Sequence, residues 1–230
     1  MAAETPVASA AAEPKDRLLD AALPHVAFDG WSEVTLAAAI RDSGVAPALA
    51  RALFPRPVDL ALAWHRRGDR MMTQTLAASD LSALRFRDRI TLAVRLRLEG
   101  ADREVVRRSA AMFALPQHAA EGARAIWQTA DAIWLALGDT TRDLNWYTKR
   151  ASLSAVHATT LLHWLGDASD GQAATWEFLD RRIEDVMRFE KAKASFRENP
   201  LGKALMAGPL KILERVHAPE KRIDLPGTQP

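Results

Sequence analysis

Apolar residues recur at three- and four-residue spacings along almost the whole chain, and no stretch alternates strictly enough for a strand. The pattern predicts an all-α fold. The first helix starts at Pro14, a favourable first-turn residue, and stops at Gly30. Leu18, Leu19, Ala22, Leu23 and Val26 form its stripe, and Pro24 predicts a kink because it removes one backbone donor. Ser32 or Thr35 caps a second helix over residues 36–42, and Ser43-Gly44-Val45 makes a turn. A short third helix over residues 47–53 ends before Pro55. The fourth covers residues 58–77 and bears Leu60, Leu62, Trp64, Met71, Met72 and Leu76. Met71 and Met72 suit a pocket for a flexible chain as well as they suit core gaps. Residues 85–108 hold eight Arg against four acidic residues, with Ile90, Leu92, Val94, Leu96 and Leu98 between them. They read as one helix with a basic outer face, either solvated or turned to anionic lipid headgroups.

Met112-Phe113-Ala114-Leu115-Pro116-Gln117-His118 ends the next helix at Pro116. Residues 120–137 follow with Ile126, Trp127, Ile133, Trp134 and Leu137, and Gly138-Asp139 stops them. Asp143 then caps a long interior helix over residues 144–165, because its carboxylate can accept first-turn N–H groups. Leu153, Val156, Leu161, Leu162 and Leu165 are its apolar positions; Trp146 and Tyr147 stand on its first turn, packed in the core or held near the surface. After a polar turn at residues 166–171, a helix over residues 173–195 carries Trp176, Leu179, Ile183, Val186 and Met187. Past Pro200 the pattern changes. On a wheel of ~100° per residue, Leu201, Leu205, Met206, Leu210, Ile212, Leu213 and Val216 fall within about half the circumference. Lys203, Lys211, Glu214 and Arg215 take the other half. Such a helix suits a membrane interface, or docks on its own domain or a partner, and Pro209 predicts an interruption.

These boundaries divide the chain into a disordered tail at residues 1–13 and a helix-turn-helix-like unit at 14–57. A larger helical domain follows at 58–195, then a linker and amphipathic helix at 196–218 and a flexible tail at 219–230.

Composition adds exclusions. The 230 residues are 48% apolar, enough for a substantial core, and the net charge of +2 implies no particular partner. Cys is absent, which removes disulfides and thiolate chemistry. No run of 18 apolar residues exists to span a membrane. Residues 1–13 contain Glu4 and Glu13 and no Arg, unlike a secretory signal or an organellar presequence. The expected location is therefore cytoplasmic. No phosphate loop, Gly-x-Ser-x-Gly elbow or His-Glu-x-x-His occurs. His157 and His163 lie six apart, and the spacing of Glu214 and His217 occurs singly where a di-iron bundle needs two such motifs. The expectation is a binding protein rather than an enzyme, with no catalytic residue, metal or cofactor.

Helix, Gly-containing turn and short helix form a helix-turn-helix pattern, placed as in TetR-type repressors. The second of those helices offers Arg51 as its one polar side chain, too little for base and phosphate contacts. No nucleic acid is expected as a partner; the alternative is a TetR-type transcriptional regulator sensing an apolar ligand.

Three segments carry a further resemblance. They are Asp143-Leu144-Asn145-Trp146-Tyr147-Thr148-Lys149-Arg150-Ala151, Trp176-Glu177-Phe178-Leu179-Asp180-Arg181-Arg182-Ile183, and Leu115-Pro116-Gln117-His118. The last is similar to a family Leu-Pro-His segment with Gln117 inserted. Over about residues 14–217 the chain resembles the coenzyme Q nine family, lipid-binding accessory proteins of ubiquinone biosynthesis. The resemblance implies a TetR-like helical bundle, a degenerate N-terminal helix-turn-helix, a homodimer and a C-terminal amphipathic helix. It also implies a bound isoprenoid lipid, quinone precursor or phospholipid, presented at a membrane surface to the demethoxyubiquinone hydroxylase. With no mitochondrial presequence, such a member is expected to be bacterial, cytoplasmic and peripheral on the inner face of the membrane. Candidate lipid-binding residues are Trp64, Met71, Met72, Leu92, Leu96, Met112, Phe113 and Trp127. The family's hydroxylase patch maps to Leu115, Pro116, His118, Asn145, Trp146 and Tyr147, and its membrane helix to Leu201, Leu205, Met206, Leu210, Ile212 and Leu213.

Overall fold

A computed structural model describes residues 13–199, 218 and 219. The membrane-helix residues Leu201, Leu205, Met206, Leu210, Ile212 and Leu213 lie outside the described residues, as does nearly all of both tails. Among the described residues there are α-helices and one 3-10 turn, and no strand. Helix α1 (Pro14–Asp29) packs closely on α2 (Glu33–Ser43), and the short α3 (Pro47–Leu53) closes the helix-turn-helix-like unit. Ser32 caps α2 by accepting the Thr35 N–H at 3.2 Å. Gly44 ends it at φ +64°, a left-handed turn over which Arg17 donates to the Ser43 carbonyl at 2.6 Å. Helix α1 runs through Pro24 to Asp29.

Helix α4 (Pro57–Ala78) is the shared spine, since its residues enter both hydrophobic clusters. Its N-terminal half, with Leu60 and Ala61, packs on α1–α3 around Leu18, Leu36 and Phe54. Its C-terminal half, with Met72 and Leu76, joins a second cluster that contains Ala93, Ile133, Leu153 and Leu179. Trp64 touches both clusters. Its neighbour Trp31, 6.2 Å away between ring centroids, donates its indole N–H to Ser109 at 2.8 Å. The helix-turn-helix-like unit is thereby sewn to the larger body.

The long basic helix expected over residues 85–108 is two helices, α5 (Phe86–Glu99) and α6 (Arg103–Phe113). Gly100 breaks the chain, and Asp102 accepts the N–H groups of Glu104 and Val105 to start α6. Its basic face is also corrected. Arg97 is buried against Asp69, and Arg103 donates to the carbonyls of Trp164 and Asp167, so these two cations hold helices together.

Helix α7 (Ala119–Ala136) and α8 (Leu144–Gly166) follow, with Asp143 accepting the Asn145 N–H at 2.9 Å as the expected cap. Asp167 fixes the entry to α9 (Ala173–Glu198), accepting the Thr175 N–H at 2.9 Å and its hydroxyl at 2.6 Å. Hydrogen bonds from Ser169 and Thr175 hold the Asp167 carboxyl far below the usual carboxylate range. The Trp176–Ile183 motif docks α9. Leu179 is fully buried, Phe178 stacks on His163 at 4.7 Å, and the Arg95 guanidinium lies 4.8 Å over Trp176.

Candidate functional site

The first turn of α8 builds an aromatic patch. Trp146 and Tyr147 meet edge to face at 4.7 Å, and Trp127 of α7 reaches both, at 5.9 and 6.5 Å. All three are half-buried, so rings remain open to solvent on a rigid base. That base is Arg150, 1% exposed, whose guanidinium lies 4.1 Å over the Trp146 ring. It donates to Asp131 at 2.5 Å and to Asp139 at 3.2 Å. Asp139 also accepts from Lys149 at 2.8 Å and Thr141 at 2.6 Å. Burial opposes its ionisation, but these three donors hold the carboxyl below its usual range.

Leu115 and Pro116 stand exposed on the turn between α6 and α7. His118 Nδ1 lies 2.7 Å from Glu121, and Glu121 pairs with Arg56 at 3.0 Å, which ties this turn to the start of α4. The hydrogen bond with His118 lowers the Glu121 carboxyl from its usual value. Trp127, Trp146 and Tyr147 thus form one cluster, and His118 joins Glu121 and Arg56 in a network beside the exposed Leu115 and Pro116.

A cavity of about 220 Å³ opens between α4, α5, α6, α7 and α8. Val106, Ala110, Ala125, Ile126, Ala158 and Leu161 supply much of its apolar wall. Of the eight residues expected to hold lipid, Trp64 and Phe113 line it. Gly122 lets α7 approach α6 there: a Cβ would stand 2.6 Å from Phe113 Cβ. The other six lie elsewhere. Met71 is 52% exposed on the outside of α4, Met72 is buried in the core, and Leu92 and Leu96 pack against that core. Met112 packs on the helix-turn-helix-like cluster, and Trp127 belongs to the aromatic patch. The period of a helix says which residues are inside, not which of them face a void.

The sequence reading missed the polar wall of this cavity. Arg97 donates from Nε to Asp69 at 2.7 Å and from Nη2 to the His65 carbonyl at 3.1 Å. His65 Nε2 lies 2.8 Å from the Thr129 hydroxyl, which donates to Asp69 at 2.9 Å. Gly68 makes room for the guanidinium, because a Cβ there would stand 2.7 Å from Arg97 Cζ. Burial and the Arg97 charge push the His65 pKa down to about 4. The same causes push fully buried His157 down to about 3, and among the described residues neither of its ring nitrogens has a hydrogen-bond partner. A signal existed. His65 and Asp69 share the buried stripe of α4, and His157 sits between Leu153 and Thr160 on that of α8. Polar residues inside an apolar stripe mark a built feature.

Residues 119–190, which include the aromatic patch and α8, match the COQ9 family model. This chain is a COQ9 relative. It is 30% identical over 182 residues to the mitochondrial ubiquinone biosynthesis protein COQ9 of Drosophila melanogaster, a match covering 76% of this chain and 55% of that protein. The human mitochondrial COQ9 is 28% identical over 201 residues, 84% of this chain and 63% of its own length. A probable mitochondrial COQ9 protein of Dictyostelium discoideum is 28% identical over 195 residues, 81% and 64% respectively. The chain therefore spans somewhat under two thirds of the COQ9 proteins it matches. The fold matches a TetR transcriptional regulator from Nitrosomonas europaea, with TM-score 0.60, 20% identity, and coverage of 74% of this chain and 95% of that one. The TetR-like all-α fold read from the sequence stands. The expected cytoplasmic location on the inner face of a bacterial membrane does not: these COQ9 relatives are mitochondrial proteins.

Proposed function

We propose that this COQ9 relative is a lipid-binding accessory protein of ubiquinone biosynthesis. It takes an isoprenoid quinone precursor from a membrane and presents it to the demethoxyubiquinone hydroxylase. The observation that carries the reading is the apolar cavity between α4 and α8 in a chain related to ubiquinone biosynthesis proteins. A polyprenyl chain is insoluble, and its transfer between bilayer and enzyme requires an apolar cover. The chemistry then belongs to the hydroxylase. The amphipathic pattern of residues 201–216 suits the membrane contact, and the Trp146–Tyr147 patch suits the enzyme contact. The regulator alternative is not favoured. Arg51, the one cation on α3, pairs with Glu33 of α2 at 2.9 Å.

Mass spectrometry of lipids extracted from the purified protein tests the carrier role. Isoprenoid quinones or their precursors are expected; phospholipids alone would mean a general lipid binder. For the enzyme contact, Trp146→Ala is expected to weaken hydroxylase binding by about 30-fold, the loss usual for a buried aromatic anchor. Calorimetry with the purified hydroxylase measures it, with far-ultraviolet circular dichroism as the check on folding. Unchanged affinity would remove the patch from the interface.

A further inference from the structure

The cavity has one end unlike the rest. Its wall is apolar apart from His65, Arg97 and Ser109. Ser109 accepts from Trp31 at 2.8 Å and donates to the Val105 carbonyl at 2.8 Å. His65 is engaged at both ring nitrogens, by Thr129 at 2.8 Å and Arg97 at 3.3 Å. Arg97 uses Nε and Nη2, and among the described residues its Nη1 has no partner. Fully buried His157 is next in the chain to Ala158 of the wall and close enough to Arg97 and His65 for both to influence it. Its two nitrogens and the Thr160 hydroxyl, one turn on, also lack partners. Unpartnered buried polar groups are rare in folded proteins, and a group of them beside a cavity points to a ligand that completes them.

Charge limits what that ligand is. Both imidazoles are neutral near pH 7, so the ionised pair at this end is Arg97 and Asp69, whose charges cancel. An anionic or cationic group placed here would be desolvated without a counter-charge. A neutral oxygen acceptor meets the Arg97 donor with nothing left over. Size limits it too. An apolar cavity of about 150 Å³ holds benzene, so about 220 Å³ admits one substituted ring but not a long chain. Leu161 and Leu162 of α8 line the cavity, and Leu162 is 64% exposed, which leaves an apolar way out for a longer tail.

We propose that this cavity binds its ligand head first. An uncharged ring bearing oxygen acceptors enters to accept a hydrogen bond from Arg97 Nη1, and the apolar tail trails out along α8. This rests on the lipid-binding reading above and assigns it a head group, an orientation and a specificity-determining residue.

Three probes of one tail length test it on the full chain by titration calorimetry: 2-hexyl-1,4-benzoquinone, hexylbenzene and 4-hexylbenzoate. The chain has no Cys, so thiol addition does not consume the quinone. The quinone is expected to bind about tenfold to a hundredfold more tightly than either of the others, the range that one hydrogen bond to a charged donor supplies. The double variant Arg97→Gln with Asp69→Asn removes both charges together and is expected to level the quinone with hexylbenzene. Equal binding of all three probes to the unaltered protein would overturn the head-first orientation and leave the lipid-binding reading standing. Tighter binding of the benzoate would replace the neutral head by an anionic one and overturn it as well. If none binds, the lipid-binding reading fails, and this inference with it. Should the double variant not fold, the three-probe comparison still decides.

Discussion

Replacing Arg150 with Ala lowers the melting temperature by about 6–12 °C. Arg150 is 1% exposed and bridges Asp131 of α7 and Asp139 of the α7–α8 connection from within α8. Removing one partner of a buried ion pair costs about 3–5 kcal/mol, because the remaining charge stays desolvated. Here the lower value applies. Asp139 keeps Lys149 at 2.8 Å and Thr141 at 2.6 Å, and the Asp131 side chain is 34% exposed. A loss of about 3 kcal/mol in a domain of this size corresponds to about 2–4 °C per kcal/mol. Arg150→Lys restores little, since one ammonium cannot meet two carboxylates and the Trp146 face as a planar fork does. Lys149→Ala is the contrast. Its side chain is 32% exposed, and its removal costs about 1 kcal/mol or less. Calorimetric melting of the three variants checks the order; a shift below about 2 °C for Arg150→Ala would show that Lys149 and solvent already neutralise this network.

Most helix boundaries were legible because residues with a physical role stand at them. Ser32 and Asp143 accept first-turn N–H groups, and Gly44 reverses the chain after α2. The break inside residues 85–108 was missed because the apolar period continues in phase across Gly100, and only the small Gly-Ala-Asp segment marks the turn. The aromatic patch was legible as adjacent Trp146 and Tyr147, but its base was not. Arg150 looks like any other helix cation until Asp131 and Asp139 are brought to it from 19 and 11 residues away. The cavity was the least legible part. A void is a property of several helices at once, so Met71 and Leu92, chosen for side-chain character, lie outside its wall. Meanwhile Gly122 and Ala158, chosen by nothing in the pattern, form it. The buried Arg97–Asp69–His65 group was hidden for the same reason. On α5 alone Arg97 is one of several arginines, and only Gly68 on the facing helix leaves room for it.

Stability falls steeply between pH 6.5 and pH 4.5, and His157 carries a large part of the fall. Facing His157 are His65 of α4 and Arg97 of α5, which Asp69 of α4 and Thr129 of α7 join in one network. The unfolded chain takes up a proton on each histidine near pH 6.5, whereas folded His65 and His157 hold theirs only below about 4 and about 3. In that window the unfolded state binds more protons, so acid favours it and the free energy of unfolding drops as pH falls. At about 1.4 kcal/mol per pH unit, each of the two contributes roughly 2–3 kcal/mol by pH 4.5. Asp139, Asp167 and Glu121 do not confuse the reading. Their carboxyls are lowered by folding, so their contribution is intact above their unfolded values near pH 4 and is lost only below. Urea unfolding at pH 7, 6, 5 and 4.5 measures the slope, and His157→Leu is expected to remove about half of it. At pH 7 the same substitution deletes two buried nitrogens that lack partners and is neutral or stabilising by about 1 kcal/mol. Equal slopes for both proteins would mean that His157 reaches solvent in the folded chain. A gain in stability accompanied by weaker quinone binding would mark His157 as a residue whose cost to the fold is repaid by its ligand.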